Sequence, residues 1–143
     1  MKKYKIILSI LLSIVVLYQT APLIAKQLVE AYLLENEKDI AVQEPGTHNG
    51  GGITTGSHFF AKAKDLKLVF KKRVLKPGSA IGYHLQKEDE IYYVVDGEGE
   101  MQMNGSSFKV KAGDAVLTRP GSSHGLKVIG NKDLTIIINY EKR

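Results

Sequence analysis

From Leu66 onward the chain runs in short stretches where apolar and polar residues alternate: Leu66–Leu75, Ile81–Gln86, Glu90–Val95, Glu100–Met103, Ser107–Val110, Ala115–Thr118, Gly125–Ile129 and Leu134–Tyr140. A period of two over runs of this length marks strands with one buried face. Lys76-Pro77-Gly78, Asp96-Gly97, Ala112-Gly113-Asp114, Arg119-Pro120-Gly121 and Gly130-Asn131 separate them. Asn104-Gly105 is the sharpest hairpin signal, because both central residues of a type I′ turn need positive φ. Eight or so short strands joined by tight turns predict an all-β protein, a single antiparallel barrel or sandwich. Alternation also places His84, Gln86, Glu90 and Tyr92 on one face, with Tyr83 and Tyr93 on the other as inter-sheet packing. Met101 and Met103 alternate with Gln102 and are expected inside, while Phe59 and Phe60 suit core or dimer contacts.

Upstream the pattern changes. Lys26 to Asp39 sets Leu28, Val29, Tyr32 and Leu33 against Glu30, Glu35 and Glu37, an amphipathic helix. Glu44-Pro45-Gly46-Thr47-His48-Asn49-Gly50-Gly51-Gly52 ends it as a linker or entry loop. Before Lys26, three lysines precede an apolar run from Ile6 to Leu17, with no acid in residues 1–25. A basic start followed by about a dozen apolar residues is the form of an export signal. Neither Ala21 nor Ala25 has a small residue two places before it, so both are poor cleavage sites. Left uncleaved, residues 6–25 reach the minimum length for a span and would tether the protein to the inner membrane, with the barrel outside. The expected organisation is a signal peptide or anchor helix over 1–25, a helical spacer and Gly-rich linker over 26–52, and the barrel over 53–143. The protein is expected to be exported from a bacterial cell, periplasmic or extracellular.

Composition removes several alternatives. With no cysteine, disulfides, thiol catalysis, zinc fingers and iron–sulfur clusters are excluded. Residues 61–143 carry fifteen bases against ten acids, but these are scattered, and the one run, Lys71-Lys72-Arg73, has no interleaved aromatics. No nucleic-acid partner is expected. The chain has neither a phosphate loop nor a dinucleotide fingerprint, and Ser122-Ser123-His124 lacks a placed acid for nucleophilic catalysis.

A histidine, an amide and a carboxylate on one strand face, with a second histidine far along the chain, can bind one divalent cation. Imidazole and carboxylate suit iron, manganese, nickel, copper or zinc. Gln86 can also simply hydrogen-bond Glu90 in a barrel without metal. Tyr92 is a candidate general acid or substrate contact, and Arg119 a candidate clamp for a carboxylate; core filling and solvent exposure are their respective alternatives. His48 and His58 read as loop or strand-edge residues.

Gly78-x5-His84-x-Gln86-x3-Glu90-x6-Gly97 resembles the first motif of the cupin superfamily, and the segment from Gly113 to His124 resembles the second. The likeness spans about residues 66–140 and matches that of a small single-domain cupin of the conserved-barrel type. It departs from the family pattern at Gln86, which takes the place of a histidine, at Arg119, which stands where proline is usual, and at Val128, which replaces the closing asparagine. The resemblance implies a jelly-roll type barrel and one divalent transition metal, such as Mn, Fe, Ni or Zn, held by His84, Gln86, Glu90 and His124. It implies a small-molecule ligand and a homodimer, to which the Leu66–Leu75 strand offers an apolar face. The implied functions are Lewis-acid isomerisation, epimerisation or lyase cleavage of sugar- or uronate-like substrates, a non-catalytic ligand- or metal-binding module, and iron-dependent dioxygenation.

Overall fold

The computed structural model describes residues 31–142. The chain divides into two compact units, 1–34 and 35–143. Of the first, the four described residues are neither helix nor strand; the signal or anchor helix expected over 1–25 lies outside the described residues.

The second unit opens with one helical turn, α1 (Glu37–Ile40), started by Asn36, whose side chain accepts from Lys38 N at 3.0 Å. Ten strands follow: β1 (Ala41–Pro45), β2 (Ile53–Phe59), β3 (Leu68–Leu75), β4 (Ala80–Leu85), β5 (Glu90–Asp96), β6 (Glu98–Met103), β7 (Ser106–Lys111), β8 (Ala115–Thr118), β9 (Ser123–Val128) and β10 (Leu134–Glu141). They form an antiparallel six-stranded sheet ordered β1-β2-β3-β10-β5-β8 and a four-stranded sheet ordered β4-β9-β6-β7. The eight alternating runs of the sequence correspond to β3 through β10. Asn104 and Gly105 turn with φ of 48° and 84°, as the type I′ reading requires.

The two sheets enclose one core, built from Leu75, Ile81, Tyr92, Val94, Met101, Val110, Leu126, Val128, Leu134, Ile136 and Ile138, with Met103 packed against it. Tyr83 and Tyr93 do not pack between the sheets; they are 50% and 45% exposed, because the face opposite the core is the outside of the sandwich.

The spacer region contributes more than a linker. Ala41–Pro45 is a full edge strand, paired from Ala41↔Ser57 to Pro45↔Ile53. The loop after it runs along the free edge of β4: Gly82 N donates to Thr47 O at 2.9 Å and Ala80 N to Gly51 O at 3.3 Å. Only glycine allows so close an approach, since a Cβ on Gly82 would stand 1.9 Å from His48 O. Beside it the β4–β9 ladder slips: Ile81 pairs with Leu126, but His84 pairs with His124.

Candidate metal centre

The slip in β4 and the start of β5 bring three donors together from both sheets. His84 and His124 are direct cross-strand partners in the four-stranded sheet. Glu90 faces them from the first position of β5 in the other sheet. His124 Nε2 lies 3.2 Å from His84 Nε2 and 3.1 Å from Glu90 Oε2. One ligand atom from each of the three residues falls within 4.8 Å of the others, a group that could hold a metal ion.

The outward nitrogen of His84 fixes its tautomer. His84 Nδ1 sits 2.8 Å from Gly82 O, which can only accept, so Nδ1 carries the proton and Nε2 the lone pair. His124 Nδ1 lies 2.9 Å from Thr118 Oγ1, a hydroxyl that accepts when Nδ1 carries the proton, the tautomer in which Nε2 is free to bind a cation. With His124 in that tautomer two lone pairs and a carboxylate oxygen converge, and Glu90 Oε2 is buried without a hydrogen-bond partner. Such a focus of negative potential is unfavourable unless a cation occupies it. The spacing fits one: donors about 2.1 Å from a common ion at near right angles stand about 3 Å apart. Donation of the second nitrogen to a carbonyl or hydroxyl is the usual outer support of a ligating imidazole.

A cavity of about 250 Å³ opens beside the triad, lined among others by His48, Lys71, His84, Gln86, Glu90 and Tyr92. Gln86 is buried at 7% exposure and held by backbone hydrogen bonds to Ser122 O and from Gly121 N. Tyr92 is 4% exposed, with its ring 5.1 Å from that of His124. Burial, followed by the charge of Glu90 and a hydrogen bond to it, pushes the Tyr92 phenol well above its ordinary value, so it stays protonated at neutral pH. Arg119 stands apart. It follows the inward-facing Thr118, so alternation turns it outward, where it pairs with Asp89 at 3.3 Å and is 68% exposed.

His48 lies in the loop after β1, and that loop lays its ring flat on His84, centroids 3.5 Å apart and planes within 5°. Burial, and then the neighbouring His84, lowers its pKa from the ordinary value of 6.5. Thr118, His48, Lys71 and Arg73 all escape a sequence search for ligands. The one available signal was the pair of cations at alternate, inward positions of an otherwise apolar strand face, Val69-x-Lys71-x-Arg73-x-Leu75.

A family model described as the Cupin domain matches residues 72–140. The crystal structure of a predicted oxalate decarboxylase from Thermotoga maritima superposes with a TM-score of 0.71 at 30% identity, covering 78% of this chain and all of that one. The chain is a cupin. This cupin is also 41% identical over 70 residues to the oxalate-binding protein of Thermotoga maritima, a match covering 48% of this chain and 58% of that protein. The chain spans less than two thirds of the length of the curated relatives it matches. The polyketide cyclase from Streptomyces resistomycificus shares the fold, with a TM-score of 0.65 at 18% identity over 78% of this chain and 80% of its own.

Proposed function

We propose that this cupin binds a divalent transition metal through His84, Glu90 and His124, with Gln86 beside them, and uses it to hold a small, oxygen-rich carboxylate. The observation that carries the reading is the convergence of His84 Nε2 and a buried Glu90 carboxylate oxygen on His124 Nε2, at 3.2 and 3.1 Å, with a hydrogen-bonding group behind each imidazole. The 41% identity to a protein named for binding oxalate supports the ligand class. A bound cation supplies Lewis acidity, polarising a carbonyl or steadying an enediolate. The chain's own contributions are clear in outline. Tyr92 keeps a proton next to Glu90, and the cavity beside the triad leaves room for a small ligand. Isomerase, epimerase or lyase chemistry on sugar- or uronate-like acids follows if a proton is moved; otherwise the cupin is a binding module, the role in the name of that relative.

Calorimetric titration of chelator-treated protein with Mn(II), Ni(II), Fe(II) and Zn(II) tests the first step. Stoichiometric binding that is lost in Glu90→Gln is the expected result, and no binding of any of the four removes the reading. Assays on unsaturated uronates and hydroxy acids then separate turnover from binding, and oxygen consumption would favour dioxygenase chemistry instead. Export rests on the basic and apolar composition of residues 1–25; sequencing the mature N-terminus decides between cleavage and anchorage. A homodimer is proposed from the outer face of the six-stranded sheet, where Leu68, Phe70, Ile91 and Tyr93 are 36–48% exposed. A monomer mass by sedimentation at micromolar concentration would remove it.

A further inference from the structure

The inward face of β3 holds two cations where the fold calls for apolar residues. Val69 and Leu75 are buried as expected, at 8% and 0% exposure, but Lys71 and Arg73 stand between them. Arg73 is committed to structure: Nη2 pairs with Glu44 Oε1 at 2.7 Å and Nη1 donates to Thr54 Oγ1 at 2.7 Å. Lys71 has no such structural post. Its Nζ lies 3.4 Å from the neutral hydroxyl of Tyr140 and 5.3 Å from that ring's centroid.

Register places this ammonium opposite the triad. Lys71 pairs with Ile138, and Ile138 with Tyr92; one step outward, Val69 pairs with Tyr140, and Tyr140 with Glu90. Lys71 therefore stands two strands from Tyr92 on the same inward face, roughly 10 Å by backbone spacing. Its long stem bends toward Tyr140, the row that holds Glu90. Lys71, Tyr140 and Glu90 line the same cavity, whose rim also carries Lys87 and Glu88 with opposite charges.

We propose that Lys71, with the Tyr140 hydroxyl, is the specificity residue for a second carboxylate, so that the cavity selects short dicarboxylates over monoacids. This rests on the metal reading above. A divalent cation beside ionised Glu90 leaves one net positive charge at the triad, and Lys71 supplies another across the cavity. A dianion answers both, while a monoanion satisfies only one.

The test uses full-length, Mn(II)-loaded protein and calorimetry with oxalate, malonate and succinate, each beside its half-amide, which keeps the shape and removes one charge. Wild type is expected to bind at least one diacid about tenfold or more tighter than its half-amide. Lys71→Met is expected to reduce that ratio to below about threefold with half-amide affinity and Mn(II) affinity unchanged, and Lys71→Arg to restore it. Lys71→Gln serves if the methionine variant fails to fold by circular dichroism. A wild type without preference, a ratio unchanged in both neutral variants, or no binding of any diacid overturns the proposal and leaves the metal site standing. Failure of wild type to bind any of Mn(II), Ni(II), Fe(II) and Zn(II) overturns the metal reading and this one together.

Discussion

Thr118→Val isolates the support behind one imidazole. Thr118 is 1% exposed and its hydroxyl lies 2.9 Å from His124 Nδ1, while His124 is 0% exposed. Valine keeps the shape and removes the acceptor, and no solvent reaches the site to replace it. The ring then has two courses. It can keep its tautomer with a buried, unsatisfied N–H, at a cost of about 1–3 kcal/mol in stability. Or it can move the proton to Nε2, which preserves stability but blocks the lone pair that faces Glu90. Either way, loss of an outer partner of a ligating histidine lowers metal affinity about 10–100-fold, or about 1.4–2.8 kcal/mol. Urea unfolding of the metal-free protein and Mn(II) or Zn(II) calorimetry at pH 8 read the two terms separately. Thr118→Ser, which keeps the hydroxyl, should retain metal affinity and lose about 0.8 kcal/mol for the missing methyl. A valine variant that binds metal within twofold of wild type, at unchanged stability, would refute the tautomer argument and with it the case for His124 as a ligand.

Three further outcomes follow from the same geometry. Gly82→Ala forces a methyl against His48 O, so unfolding free energy should fall by about 1–3 kcal/mol and limited proteolysis should shift to residues 46–52; an unchanged melt would mean that the loop does not pack on β4. Gln86→His offers a stronger neutral donor and should tighten Zn(II) or Ni(II) binding by about an order of magnitude, read by competition with a chromogenic chelator; unchanged affinity would place position 86 outside the coordination sphere. In the metal-free protein His48 should titrate by NMR below 6.5, because burial and His84 disfavour its charged form. With the folded pKa depressed, its contribution to stability is present above about 6.5 and falls away as pH drops below that; a midpoint at or above 6.5 would contradict the stacked arrangement.

The barrel was largely legible because its strands alternate cleanly between turns that admit few other readings. The triad was legible for the same reason: His84 and Glu90 share a parity, and His124 closes a motif that resembles a known one. What stayed hidden has specific causes. β1 is polar and ends in proline, so Ala41–Pro45 carries no alternation to betray an edge strand. His48 reaches the site through the packing of three glycines and Gly82 against backbone, a contact that no local pattern encodes. Alternation sets Tyr83 and Tyr93 on the face opposite His84 but does not say what covers that face, and two stacked sheets leave each an outer side that meets solvent or a partner. Arg119 lies within the second motif, but one position past the inward Thr118, and its side chain faces out.

The slip between β4 and β9 acts as a change of phase. Before it, odd-numbered Ile81 points inward; after it, even-numbered His84 does, while Leu126 and His124 keep step on the opposite strand. A ladder without the slip would set His84 against Ser123 and turn it away from the side that His124 faces. The two nitrogens at the centre of this cupin therefore meet because β4 carries one residue more than its partner. Sliding β4 by one place to close the slip, with no change of sequence, would leave every donor in the chain and still separate them across the sheet.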